Sequence, residues 1–592
     1  MAASVPNSAL PPAFSAKPRA GGLADHSADW RMVMLAGAAL VIGSGGAAGA
    51  WALLQLIALA TNLFWFGHWS VAPVPIAQSR LGPAGVIIPV IGSVMVGLMA
   101  RFGSDKIRGH GIPEAIEAIL YGESRLSLKV AVLKPLSSAI SIGSGGPFGA
   151  EGPIIMTGGA IRSLFAQRFH LSAAERKVLL VSGAAAGMTA IFGTPVAAIL
   201  LAVEVLLFEW KPRSLVPVTI AVLVALGWRP LLIGTGPLFA VAGTVPAGGA
   251  LLPLALVLGM VVGLLAVVLS VLLYRIEDAF HRLPLHWMWW PAVGAMVVGL
   301  GGWIDPRVLG AGYANIQDLL NGTLPLRVVA ALLITKAVVW LIALGSGTSG
   351  GILAPLLILG GALGSLLGTI LPGGSGLWAM IGMAAIMSGA MRAPITGALF
   401  AVELTGRTGA LPLAVAASAG AYGLSVMVMR RSILTEKIAR RGRHVVQEYS
   451  VDSHDFLQAS AIMTRDPATL NGALGAAQAI AVFAGGASHR SYPVVDDRGR
   501  LIGLVSRSDA LRWQIDGPPP EATLADLLSD ADQPFALPDA PIGDVADLII
   551  ESGIGRIPVI DPATRRVVGI VSRHDLLKAR RAQRQTEALR SR

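Results

Sequence analysis

The chain has no cysteine among its 592 residues. Disulfides, thiolate metal sites and cysteine nucleophiles are therefore excluded. Charge is scarce as well. Asp, Glu, Lys and Arg make up only 14% of the sequence, against about a quarter in an ordinary soluble protein. What fills the space is apolar. Hydrophobic residues reach 54% and the mean hydropathy is +0.66. From about Trp30 to Met429, apolar runs of membrane-spanning length alternate with short loops. This pattern predicts a polytopic membrane protein, and the length is too great for one domain. The charge that exists leans basic, +11 overall. At the edges of a membrane protein that excess acts as a topology signal or a contact with anionic lipid, so the bilayer and not nucleic acid is the expected partner.

Within the apolar region one stretch stands out, Gly143-Ser-Gly-Gly-Pro-Phe-Gly-Ala-Glu151-Gly-Pro153. Its glycines leave backbone N–H groups open to a ligand, and Pro153 suits the first turn of a helix. A helix starting at membrane depth aims its positive end at whatever sits there, which makes an anion site out of backbone. The lone carboxylate, Glu151, is a functional candidate because charge in hydrocarbon is costly. A Gly-rich packing face with a salt-bridged Glu would explain the same residues. A second copy favours the first reading. Gly345-Ser-Gly-Thr-Ser-Gly-Gly-Ile-Leu-Ala-Pro355 repeats the opening Gly-Ser-Gly, the seventh-place Gly and the final Pro. Downstream, Gly193-Thr-Pro-Val-Ala-Ala-Ile-Leu-Leu-Ala-Val-Glu204 is echoed by Arg392-Ala-Pro-Ile-Thr-Gly-Ala-Leu-Phe-Ala-Val-Glu403. Two motif pairs in one order mean an internal duplication, with the substrate site between the halves. Spacing leaves parallel and inverted halves equally open. A third loop-to-helix start is Arg108-Gly-His-Gly-Ile-Pro113-Glu-Ala-Ile.

The pass along the chain predicts a disordered tail over 1–28, with no signal peptide. Lys17, Arg19 and Arg31 ahead of the first span place the N-terminus in the cytoplasm. A membrane domain is expected over 29–443, with repeats of about 30–235 and 245–435. Roughly a dozen or more segments are expected, some shorter than the ~20 residues needed to cross, as half-helices would be. The basic run Arg430, Arg431, Lys437, Arg440, Arg441 and Arg443 marks a cytoplasmic exit. After a linker over 444–458, two α/β modules are expected over 459–516 and 520–582, and then a basic tail over 583–592. Each module carries a strand ending in Asp and a Gly-x-x-Ser-x-x-Asp turn: Gly503 to Asp509 in the first, Gly569 to Asp575 in the second.

These motifs resemble the CLC family of chloride channels and proton-coupled anion exchangers. Gly109-His-Gly-Ile-Pro113 resembles the family's GSGIP, Gly149-Ala-Glu-Gly-Pro153 its GREGP and Gly351-Ile-Leu-Ala-Pro355 its GxFxP. Pro195 to Glu204 resembles the helix bearing the inner acidic pair, and the C-terminal modules resemble a tandem CBS pair. The resemblance implies an all-α polytopic membrane domain built from an inverted repeat with broken helices, followed by a cytoplasmic α/β CBS pair. It implies a homodimer in a bacterial inner membrane, with an inorganic anion, chloride first, as substrate. On the match Glu151 takes the place of the gating glutamate. The anion pathway is expected at Gly109, His110, Gly111, Ile112, Gly149, Ala150, Gly152, Gly351, Ile352, Leu353 and Leu434. The inner acidic positions are Glu204 and Val205. No cofactor is required; an adenine nucleotide is a candidate ligand of the CBS pair through Ser506, Asp509, Ser572 and Asp575. Those serines are equally readable as ordinary N-caps.

The departures from the family carry information. His110 stands where the family has an anion-binding serine, Leu434 where it has a pore tyrosine, and Leu353 where it has the GxFxP phenylalanine. Val205 stands at the proton-transfer glutamate of many exchangers and cannot carry a proton, which favours an uncoupled channel over an exchanger. Glu204 and Glu403 recur in both halves and also fit a purely helix-holding role. An enzyme using Glu151 would lack nucleophile, metal ligands and orienting partner, so neither catalysis nor a metal site is expected. A nucleotide-sensing membrane protein without conduction is the other class to separate, by flux.

Overall fold

The computed structural model describes residues 30–121, 127–166, 173–241, 249–442, 458–485, 489–517, 521–528, 533–579 and 581. The expectations for the 1–28 tail, the linker up to 457 and the 583–592 tail lie outside the described residues. The chain divides into a helical unit, His26–Glu448, and a second unit containing Tyr449–Arg592.

Among the described residues, six helices of the first unit are long and apolar enough to cross a membrane. Shorter ones, such as Pro195–Leu201 with 7 residues and Ile112–Tyr121 with 10, cannot cross. The elements recur in one order. Leu128–Gly143, Glu151–Ala166, Ala173–Phe192, Pro195–Leu201 and Pro212–Leu232 are matched by Leu326–Gly345, Leu353–Leu367, Ser375–Met391, Pro394–Thr405 and Leu411–Val428.

Small residues set how closely these helices pack, because lipid offers no hydrophobic drive between them. A side chain on Gly158 would strike the carbonyl of Gly183, and one on Gly183 that of Gly158. In the second half Gly360 and Gly382 face each other in the same way. A second shared device is a fully buried lysine. Lys134 Nζ donates to the carbonyls of Ile107 (2.7 Å) and Gly109 (2.6 Å). Lys336 Nζ donates to those of Val308 (2.8 Å) and Gly310 (3.0 Å). Each ammonium thus ties down the loop ahead of a half-helix, and loop carbonyls satisfy it in place of water.

The halves meet through equivalent residues. Gly351 N–H donates to Gly149 O at 2.9 Å, and Gly149 N–H returns a bond to Gly351 O at 3.3 Å. Such an exchange between matching positions is the mark of a two-fold relation. It recurs at the helices that follow. Glu204 accepts from the N–H groups of Ile395 (3.4 Å) and Thr396 (2.8 Å) at the start of the Pro394–Thr405 helix. Glu403 accepts from Val196 (3.1 Å) and Ala197 (2.8 Å) at the start of Pro195–Leu201. Each glutamate caps the other half's helix, where free N–H groups and the positive dipole end favour a carboxylate.

The second unit holds two three-stranded sheets. One joins Leu470–Asn471, Ser491–Val495 and Leu501–Ser506; the other joins Thr464–Arg465, Val567–Ser572 and Arg556–Ile560. Chain order and spatial order differ here. Thr464–Arg465 pairs with Val567–Ser572 of the second module, and Ala459 packs in that module's core. In return Leu524 and Leu528 pack in the core of the first. Equivalent residues meet again, as Arg500 bridges to Arg566. The second hairpin turn is one residue longer, closing Asp561 onto Arg566 where the first closes Asp496 onto Arg500. Backbone N–H bonds, from Arg500 to Asp496 and from Thr564 to Asp561, hold both carboxyls below the usual range.

Candidate functional site

Three helix starts converge where the halves meet. Gly109 N–H donates to Thr348 O at 2.9 Å, fastening the first loop to the third. A side chain on Gly152 would strike the His110 carbonyl, and one on Gly111 would come within 2.7 Å of Gly152 O. Only glycine lets three backbones come this close. The helices Ile112–Tyr121, Glu151–Ala166 and Leu353–Leu367 begin at or just after these contacts. The convergence brings together Gly109, His110, Gly111, Ile112, Gly149, Ala150, Glu151, Gly152, Gly351, Ile352 and Leu353.

Glu151 lies at the centre of the site with 0% exposure. Its carboxylate folds back over Gly149 and Gly351, filling the space that a side chain at either glycine would need. The amides of Glu151 and Ala354 lean toward it, yet neither oxygen meets hydrogen-bond geometry with any donor. A buried carboxylate without a fixed partner is costly and does not serve as a structural ion pair. His110 is 3% exposed, and its Nδ1 also lacks a partner. Leu434 is buried at the start of the Thr435–Arg440 helix, where Tyr274 Oη holds the preceding Ile433 carbonyl at 2.5 Å.

Two roles narrow. Glu204 serves as the helix cap described above and accepts a further bond from Thr396 Oγ1 at 2.5 Å. It sits in a π turn over Ala202–Leu207, and the adjacent Val205 is buried. In the second unit, Ser506 Oγ and N–H both bond Asp509 (2.7 and 3.0 Å), and Ser572 bonds Asp575 in the same way (2.6 and 2.8 Å). These are capping boxes with Asp in place of Glu.

Sequence reasoning missed Tyr313. Its hydroxyl is buried without a partner, beside Glu151 and the Ala150 amide. It opens the Tyr313–Asn321 helix, the second-half counterpart of the one after His110. A cavity of about 620 Å³, lined by Trp51, Thr61, Ala150, Arg307 and Tyr313 among others, leads up to this point. The duplication held the signal, because Tyr313 follows Gly312 as Ile112 follows Gly111.

Residues 91–426 match the family model described as voltage gated chloride channel, more than half of the chain. The chain belongs to the CLC family. Two CBS domain matches, over 459–516 and 524–582, complete it as a CLC protein with a C-terminal CBS pair. The "Voltage-gated ClC-type chloride channel ClcB" of Salmonella typhimurium (strain LT2) is 31% identical over 365 residues, 60% of this chain and 87% of that one. Among solved structures, a slow cyanobacterial Cl⁻/H⁺ antiporter matches with a TM-score of 0.61 at 23% identity, over 70% of this chain and 99% of that one. A eukaryotic CLC transporter matches with 0.58 at 19%, over 92% and 98%. At these identities the structures bear on the fold alone. The membership makes the chain a multi-pass integral membrane protein of an anion-transporting family.

Proposed function

We propose that this CLC protein passes chloride-type anions through a pathway gated by Glu151, as a passive channel. The observation that carries the reading is the unpartnered carboxylate of Glu151 over Gly149 and Gly351. It occupies the place where helix N-termini would hold an anion, so carboxylate and anion exclude each other. Val205 supports the uncoupled mechanism, because the inner end of a proton path has no acid there. Coupled anion/proton exchange is the second reading. It stays open because proteins of the same fold include a Cl⁻/H⁺ antiporter and a CLC-type fluoride/proton antiporter. The deciding experiment is anion flux in vesicles with the reversal potential read under a two-unit pH gradient. A channel keeps the anion equilibrium potential; a shift that follows the proton gradient rejects it. No flux at all would leave a nucleotide-sensing protein without conduction.

Self-association belongs to the same proposal. Val196, Ile395, Leu223, Leu231, Val415 and Met427 are exposed on the paired helices that carry the glutamate caps and on their neighbours, an apolar face suited to a second copy of the chain. The basic run after Met429 supports a CBS pair on the cytoplasmic side of the membrane. An adenine nucleotide is its proposed ligand, with Asp575 on the ribose.

A further inference from the structure

The inner side of the site holds a cation that the basic run concealed. Lys437 lies on the short Thr435–Arg440 helix, three residues after the buried Leu434. Its side chain reaches back to the first loop and packs on Gly109, so that any side chain there would strike the ammonium. The next residue is His110, whose Nδ1 is buried and unpartnered, one position from the glycine that the ammonium covers. Lys437 Nζ pairs with Glu114 Oε1 at 2.9 Å. That carboxylate has other partners: Gly111 N–H donates to it at 3.0 Å, and Arg441 Nη2 lies 3.5 Å away. Glu114 therefore stays satisfied if Lys437 turns from it to another anion.

We propose that Lys437, with His110, forms an inner anion-binding site in which an ammonium replaces the hydroxyl donors that His110 and Leu434 remove. The proposal rests on the transport reading and names the residue that sets its selectivity. The occupant is a small monovalent inorganic anion. An ammonium is a compact, strongly hydrated point charge that presents a higher field than a hydroxyl. Field strength at the coordinating groups decides which ions repay their dehydration. A high-field site favours chloride over larger, weakly hydrated anions such as nitrate and thiocyanate. Lys437 would swing between Glu114 when the site is empty and the anion when it is filled, at little cost to Glu114.

The test uses the full chain in detergent, titrated calorimetrically with chloride and with nitrate, and the same protein in vesicles for flux. Lys437→Met removes the charge. Lys437→Gln removes the charge but keeps an N–H donor for Glu114, which guards against loss of the fold. The expected result is chloride affinity lower by about tenfold in both variants, a fraction of the attraction available to close charges. The nitrate-to-chloride permeability ratio should rise, and Lys437→Arg should restore chloride preference in part. Wild-type chloride affinity and an unchanged permeability ratio in Lys437→Gln would overturn the proposal and leave Lys437 as a partner of Glu114 only. A wild-type protein that carries no anion flux would instead reject the transport reading, while the titrations still decide the role of the lysine.

Discussion

At the residue scale the site combines backbone donors with side chains that lack partners. On the proposed reading Glu151 competes with the anion for helix N-termini, so that its protonation governs access. Glu151→Gln, which mimics the protonated side chain, should change flux and remove most of its dependence on external pH. Vesicle flux between pH 5 and 8 checks this, and an unaltered pH profile would reject the gating role. Tyr313 offers the only aromatic hydroxyl placed beside that carboxylate among the described residues. Hydrogen bonds to charged partners are the stronger class, so Tyr313→Phe should weaken chloride binding by about tenfold while leaving the Glu151 gate in place. Titration with chloride reads the change. On the proposed reading His110 contributes as a buried hydrogen-bonding group. In a Glu151→Gln background His110→Ala should weaken chloride binding several-fold and His110→Ser, which keeps a donor, should restore most of it; unchanged affinity in the alanine variant would remove the histidine from the site.

At the element scale the short helices are held by their ends. Pro195–Leu201 is too short to be stable by its own hydrogen bonds, since isolated helices need about 12–15 residues. Its start is capped by Glu403 and that of its counterpart by Glu204. Losing a cap costs about 0.5–2 kcal/mol. Glu204→Ala and Glu403→Ala should therefore lower the unfolding temperature by similar amounts, measured by thermal denaturation in detergent. Transport should survive in the folded fraction of both. Flux lost only in the Glu204 variant would return that residue to the ion path. Serine and aspartate in the second unit show how a motif can satisfy two chemistries. The Gly-x-x-Ser-x-x-Asp turn closes a capping box at each helix start, and the same Asp is the proposed ribose partner.

At the scale of the whole molecule, both units are duplications whose equivalent residues meet at the junction, Gly149 with Gly351 and Arg500 with Arg566. In the first unit this junction is the site itself. In the second, the sheets trade short segments, so neither module is complete without the other. A ligand spanning the pair would tie both modules together. Calorimetry of the full chain with ATP, ADP and AMP should show saturable binding that is weakened in Asp575→Asn. That change keeps an acceptor for the Ser572 cap and removes the charge proposed to face a ribose. The absence of heat with all three nucleotides at millimolar concentration would leave Ser572 and Asp575 as caps alone.

Much was legible in the sequence because it depends on local chemistry. Glycine and proline at fixed offsets set the helix starts, apolar runs set the membrane segments, and the repeated motifs marked the duplication and the convergence of His110, Glu151 and Ile352. Composition excluded thiol chemistry outright. Other features were decided only by tertiary structure, because they join residues far apart in the chain. The reciprocal caps of Glu204 and Glu403 link positions about 190 to 210 residues apart. The buried lysines Lys134 and Lys336 gave no local signal, since an isolated Lys in an apolar run has many fates until loop carbonyls fold over it. Tyr313 and Lys437 reach the site from segments whose sequence reads as an ordinary helix start and an ordinary basic exit. The CBS segments traded places because a strand pairs with whichever edge lies beside it, and chain order does not fix that edge.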